Sequence, residues 1–125
     1  MIEVLIVIVI IGVLSVLALP RLFGNVECMR AEEARQILLQ LLTAQKHYFL
    51  ENGVYANNMS DLDIEFKIAP DNFFMPSDGD INSNNPVAQL RRRGGAYTIK
   101  ISDNGIFSCS GSASLCPVIV SALNN

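Results

Sequence analysis

The first twenty residues, MIEVLIVIVIIGVLSVLALP, carry one charge, Glu3, and almost nothing else but aliphatic side chains. Such a run constrains the fold because few environments accept it. A secretory signal is one reading, but that needs a basic leading region and a small-residue cleavage site. Here the leading region is acidic, and Leu17-Ala18-Leu19-Pro20 is a poor cleavage signal. A buried core helix is a second reading. Val4 to Leu19, however, is apolar on every side, and a helix apolar all round belongs in lipid or at the centre of an assembly. A membrane helix is the third and favoured reading. From Met1 to Phe23 it would run about 34 Å at ~1.5 Å per residue, against a hydrocarbon core of ~30 Å.

Two features set this segment apart from a plain anchor. Pro20 lacks an N–H and its ring crowds the preceding turn, so a kink is expected there. Gly12 is a second weak point, costing ~1 kcal/mol of helix propensity against Ala. The stretch between them should bend or unwind more easily than its flanks. Glu3 is the other oddity. A carboxylate inside a bilayer costs on the order of 3 kcal/mol, and such groups usually have a partner. By position alone, Glu3 would simply favour the helix dipole and reach the headgroups.

Of the 125 residues, about a hundred remain beyond the oily head, enough for one soluble domain. They hold all nine basic residues and every acid except Glu3. The net charge of -3 gives no general reason to expect nucleic-acid binding. Residues 25–52 form a second helical pattern without Gly or Pro. Ala31, Ala34, Leu38, Leu41, Gln45 and Tyr48 recur at three- and four-residue steps, with Ile37, Leu42 and Phe49 widening the stripe, so this face should lie on a core. Glu32 and Arg35 are spaced to pair on the exposed side, and Gly53 supplies the stop. One long, bent helix with a lipid-like first half and an amphipathic second half is predicted.

Residues 53–93 are rich in Asn, Asp, Ser and Pro and read as a long irregular connection, with room for a small strand near Phe66–Ile68. Residues 94–125 give strand signals. AYTIKIS alternates, placing Tyr97, Ile99 and Ile101 on one face, and Asp103-Asn104-Gly105 marks a hairpin turn. GIFSCS and CPVIVSA are expected as the second and third strands. The predicted fold is an α+β roll whose antiparallel sheet packs on the amphipathic half of the helix. Residues 1–24 then form a membrane or filament-core segment and residues 25–125 the globular domain.

The opening residues resemble the type IV pilin family, whose mature chains begin Phe-Thr-Leu-Ile-Glu before a similar aliphatic run. Ile2-Glu3 matches the end of that pattern, with Met1 in the leucine's place. Gly12 and Pro20 fall at the family's helix-weakening positions. QKHYFLENGVYANNMSDL is similar to the stretch that closes the long pilin helix. On this resemblance the chain is expected to begin inside the mature sequence, without the leader peptide and the first two mature residues. The resemblance also implies a role for Glu3: in pilins the matching glutamate meets the N-terminal amine of a neighbouring subunit as the helices bundle. The C-terminal segment resembles the disulfide-bounded region of pilins, which implies a bond between Cys109 and Cys116. Export to an oxidising compartment favours that bond over two free thiols. Cys28 is left over, expected as a small buried residue near the junction.

Other chemistry is sparse. A zinc site at the cysteines lacks third and fourth ligands, so no metal is expected. His47 has no serine, cysteine or carboxylate in triad order and is expected at the surface. Arg91-Arg92-Arg93 makes a concentrated positive spot. A solvated loop balancing Asp78 and Asp80 is the favoured reading, with DNA or surface binding, known in pilins, as the alternative. Nothing resembles an acid–base pair, nucleophile or cofactor loop, so neither catalysis nor a cofactor is expected. The resemblance implies a structural filament subunit, a homo-oligomer held in the inner membrane until the pilus assembly machinery polymerises it into an extracellular pilus for adhesion, motility or DNA uptake. Two alternatives stand beside it: a minor pilin or type II secretion pseudopilin, and a membrane-anchored periplasmic binding module that never polymerises.

Overall fold

The computed structural model describes residues 1–66 and 71–125, the side chains of residues 20–24 excepted. One helix, α1, runs from Ile2 to Asn52, 51 residues, or about 76 Å at ~1.5 Å per residue. It ends at Gly53, whose φ of 75° only glycine adopts without strain and whose N–H bonds the Phe49 carbonyl at 2.8 Å. The kink assigned to Pro20 lies outside the described residues.

The two halves of α1 have opposite surroundings. Residues 2–19 are exposed on every face. Beyond residue 30, Ala31, Ala34, Leu38, Leu41 and Gln45 are fully buried, and Ile37 and Leu42 widen the buried stripe. Phe49 departs from the expected stripe: it is largely exposed and stacks on Tyr55, ring centroids 4.8 Å apart. By that point the helix has passed the upper edge of the core, and the ring packs on the chain returning from Gly53. Glu32 and Arg35 pair at 2.9 Å, as their spacing predicts.

Against the stripe lies a three-stranded antiparallel sheet in the order β1-β2-β3, comprising β1 (Ala88–Arg91), β2 (Thr98–Ile101) and β3 (Phe107–Ser110). Leu90 stands opposite Ile99, and Ile101 opposite both Ala88 and Phe107. Their shared face is buried against α1. The β2–β3 turn is the Asp103-Asn104-Gly105 hairpin, closed by Ser102 N–H to the Ile106 carbonyl at 3.0 Å. The fold is therefore α+β, with two corrections to the sequence reading. The first strand, β1, lies inside the segment expected to be mostly irregular, away from the small strand expected near Phe66–Ile68. CPVIVSA forms no strand but a helix, α2 (Cys116–Leu123). Pro117 sits in its first turn, where proline's missing N–H costs nothing, and Ile119 and Leu123, one turn apart, are both buried. α2 packs on α1 and β3. The Asn124 side chain beyond it bonds both the N–H and the carbonyl of Phe107, at 2.9 and 3.0 Å.

The connection between α1 and β1 is irregular, with short 3₁₀ turns at Met59–Asp61 and Asp78–Asp80. The small strand expected near Phe66–Ile68 falls mostly on residues outside the description; Phe66 itself is irregular and packs on the core. Residues 72–74 run beside Arg91–Arg93. Phe74 N–H bonds the Arg91 carbonyl at 3.0 Å, and Arg93 N–H bonds the Asn72 carbonyl at 2.9 Å. These bonds cover part of an open sheet edge.

Candidate assembly interface

The aliphatic half of α1 spans Ile2–Leu19 with a mean hydropathy of 3.1, and none of it is covered by the rest of the chain. Even its least exposed large side chain, Leu19, is 49% accessible. An apolar surface of this extent is too large for an isolated domain in water and marks a membrane or protein contact. Glu3 sits in the first turn of α1, near the positive end of the dipole. Among the described residues it pairs with no cation of its own chain. Gly12 lies within the continuous helix, and beyond its neighbours and the adjoining helix backbone no atom comes within 4 Å of where its Cβ would be. Three residues on, Ser15 Oγ donates to the Ile11 carbonyl at 2.8 Å. Such back-bonding competes with the helical N–H for that carbonyl and tends to bend a helix.

Where the aliphatic half gives way to the domain, a charged cluster joins three parts of the chain. Glu27 occupies the core-facing stripe one turn before Ala31. Arg92 donates from Nη2 to its Oε1 at 3.2 Å, Arg30 Nη1 donates to Oε1 at 2.8 Å, and Tyr97 OH donates to Oε2 at 2.9 Å. Arg92 also donates to the Asn72 carbonyl at 2.8 Å and lies over the Phe73 ring. Glu27 and Arg92 are mostly shielded, their side chains 18% and 12% exposed. Burial pushes the Glu27 carboxyl up, but the hydrogen bonds from Arg92, Tyr97 and Arg30, with the Arg92 charge, outweigh it and hold the group below its ordinary value. The bond to Glu27 raises the Arg92 guanidinium. Burial, then the bond to Glu27, pushes the Tyr97 phenol well above its ordinary range.

The arginine triplet is thus not a uniformly solvated loop. Strand alternation turns Arg92 inward to Glu27 and leaves Arg91 and Arg93 outside. Arg91 meets Asp80 at 3.3 Å, as the expected charge balance requires, whereas Asp78 accepts from Met59 N–H at 2.7 Å. Arg91 and Arg93 both lie over the Phe74 ring, 5.6 and 5.4 Å from its centroid. Cys109 and Cys116 are joined in a disulfide, and Cys28 is free and half-buried. His47 is exposed, 3.6 Å from Glu51. Among the described residues no group of three or more His, Cys, Asp or Glu side chains is arranged to hold a metal ion.

Sequence reasoning missed the Glu27 cluster. One signal pointed to it: a carboxylate in phase with Ala31, Ala34 and Leu38 needs a cation where the stripe is buried. Comparison with known protein families, curated proteins and solved structures finds no match.

Proposed function

We propose that this chain is a structural subunit of a type IV pilus filament, polymerising through the aliphatic half of α1. The observation that carries the reading is one unbroken helix whose first half is apolar on all sides and uncovered, while its second half is the spine of an α+β domain. Such a helix suits two states in turn. In the first it spans the inner membrane as a single subunit. In the second, many copies leave the bilayer and bundle their aliphatic halves as the core of an extracellular fibre. The domain decorates the outside, and the Glu27–Arg92–Tyr97 cluster fixes it to the spine at the point where the spine emerges. The pilin-like opening, with Ile2-Glu3, Gly12 and Pro20 in the family's positions, supports the same reading.

Electron microscopy of sheared surface material, with mass spectrometry of its principal band, tests it. The expected result is helical fibres with this chain as the dominant band. A trace band would make it a minor, priming subunit. Its confinement to the membrane as a monomer would overturn the reading.

A further inference from the structure

High on the domain, a groove of about 720 Å³ lies between the outer side of α1 and residues 61–64. Its apolar floor includes Leu39, Ala44, Leu62 and Ile64, and its rim carries Glu51, Asp61 and Asp63. All three rim carboxylates are exposed. The surface with the opposite character is on this same chain. Arg93, and Arg91 with its Asp80 partner at 3.3 Å, flank the ring of Phe74, which is 45% exposed, beside Met75 at 41%. Stacking holds the two guanidiniums in place, so docking them costs less side-chain entropy than docking free arginines. A cationic rim around an apolar centre meets an acidic rim around an apolar floor.

One copy cannot join its own two surfaces. Residues 71 and 72, which lead into the Phe74 surface, are held by Glu33 at 2.8 and 3.0 Å. Glu33 is fourteen residues below His47 of the groove, about 21 Å along α1. Nor can two copies satisfy both surfaces by a two-fold axis across the helices, because subunits drawn from one bilayer all point the same way. Copies that point the same way can instead meet head-to-tail, an arrangement that generates a filament when its rotation does not close a ring.

We propose that the groove seats the Arg91–Arg93 surface of a second copy, as the lateral contact between globular domains. This inference rests on the filament reading above. The test uses full chains assembled in cells, in a Cys28→Ser background. Asp63→Cys combined with Arg93→Cys should give fibres that oxidise to a ladder of covalent dimers, trimers and higher species, which neither change gives alone. Asp63→Arg and Arg93→Asp should each lower fibre yield about tenfold or more by placing like charges together, and the two combined should restore it. Formation of the Cys109–Cys116 bond in each variant checks that the domain has folded. Fibres without the ladder, single reversals at wild-type yield, or a combined variant that stays deficient would overturn the contact and leave the filament reading standing. A wild-type chain that forms no fibres would overturn both.

Discussion

Gln45 and Glu27 share the stripe of α1 that buries Ala31, Ala34, Leu38 and Leu41, so each carries a polar group into the core. Gln45 is fully buried and satisfied. Its amide donates to the carbonyls of Ala56 and Val87 at 3.0 and 3.2 Å, and its oxygen accepts the Ala56 N–H at 2.8 Å. One side chain thereby ties the helix to the start of the connection and to the residue before β1. Gln45→Leu leaves the N–H and carbonyl of Ala56 without their partner, while the Val87 carbonyl keeps the Asn82 N–H at 3.2 Å, and a buried unsatisfied group costs about 1–3 kcal/mol. Urea unfolding of the detergent-solubilised chain should show at least that loss. The Glu27 cluster sets the pH limits. Because folding lowers the Glu27 carboxyl, its contribution is complete above its ordinary value of 4.5 and is lost as pH falls through the folded value. Because folding raises the Tyr97 phenol, its contribution is complete below 10.0 and is lost as pH rises beyond that. Thermal unfolding against pH should therefore give a plateau between two falling limbs, with Glu27→Gln flattening the acid limb and Tyr97→Phe the alkaline one. The stripe itself was legible, since period and burial are local properties. The partners of Gln45 and Glu27 were not, because Val87, Arg92 and Tyr97 arrive from 42 to 70 residues away.

At the scale of elements, CPVIVSA shows why local pattern misleads. Val118, Ile119 and Val120 have strand propensity, but propensity is a weak prior that tertiary context overrides. Cys116 is bonded to Cys109 at the core-facing side of β3, in register with Ile99. From that point a helix buries Ile119 and Leu123 together, whereas an extended strand would place residues four apart more than 10 Å from each other. β1 escaped notice for the opposite reason: four residues alternate correctly, but Pro86 and three arginines frame them as a loop. The aliphatic half of α1 and the hairpin at Gly105 were plain, because each is set by consecutive residues. Two changes test the C-terminal assembly. Replacing Cys109 and Cys116 by serine should cost roughly 2–3 kcal/mol from the short closed loop. Ile119→Ala should cost about 2–5 kcal/mol, since the side chain is fully buried. Both are read from the unfolding midpoint of the oxidised chain. Gly111 is a third pressure point: an added Cβ would stand 2.9 Å from the Ala96 carbonyl oxygen, against backbone that has nowhere to move.

On the filament reading proposed above, the governing question for the whole molecule is what would draw an aliphatic helix out of a bilayer that shelters it. Burial from water stabilises at about 25 cal/mol per Å², but passing from lipid to a protein bundle recovers little of that. Glu3 bears on the balance: a carboxylate at the centre of a bilayer costs on the order of 3 kcal/mol, more than a hundredfold in partition, and less near the headgroups, where the first turn of a spanning α1 would lie. In a fibre the same carboxylate can meet the amino terminus of a neighbouring chain, and a charge pair shielded from water attracts far more strongly than an exposed one. Desolvation cancels part of that gain, so on the filament reading the pair would fix the register between copies more than it supplies cohesion. Glu3→Leu removes both the cost of remaining in the membrane and the means of choosing a register. The expected outcome is a variant with wild-type levels in the membrane fraction, an intact Cys109–Cys116 bond and few fibres by electron microscopy. Glu3→Gln separates the two effects: it lessens the membrane cost while keeping the shape and a weaker hydrogen bond, so its fibre yield should fall between the other two. Normal fibre numbers from Glu3→Leu would show that the carboxylate takes no part in assembly and that aliphatic packing alone suffices.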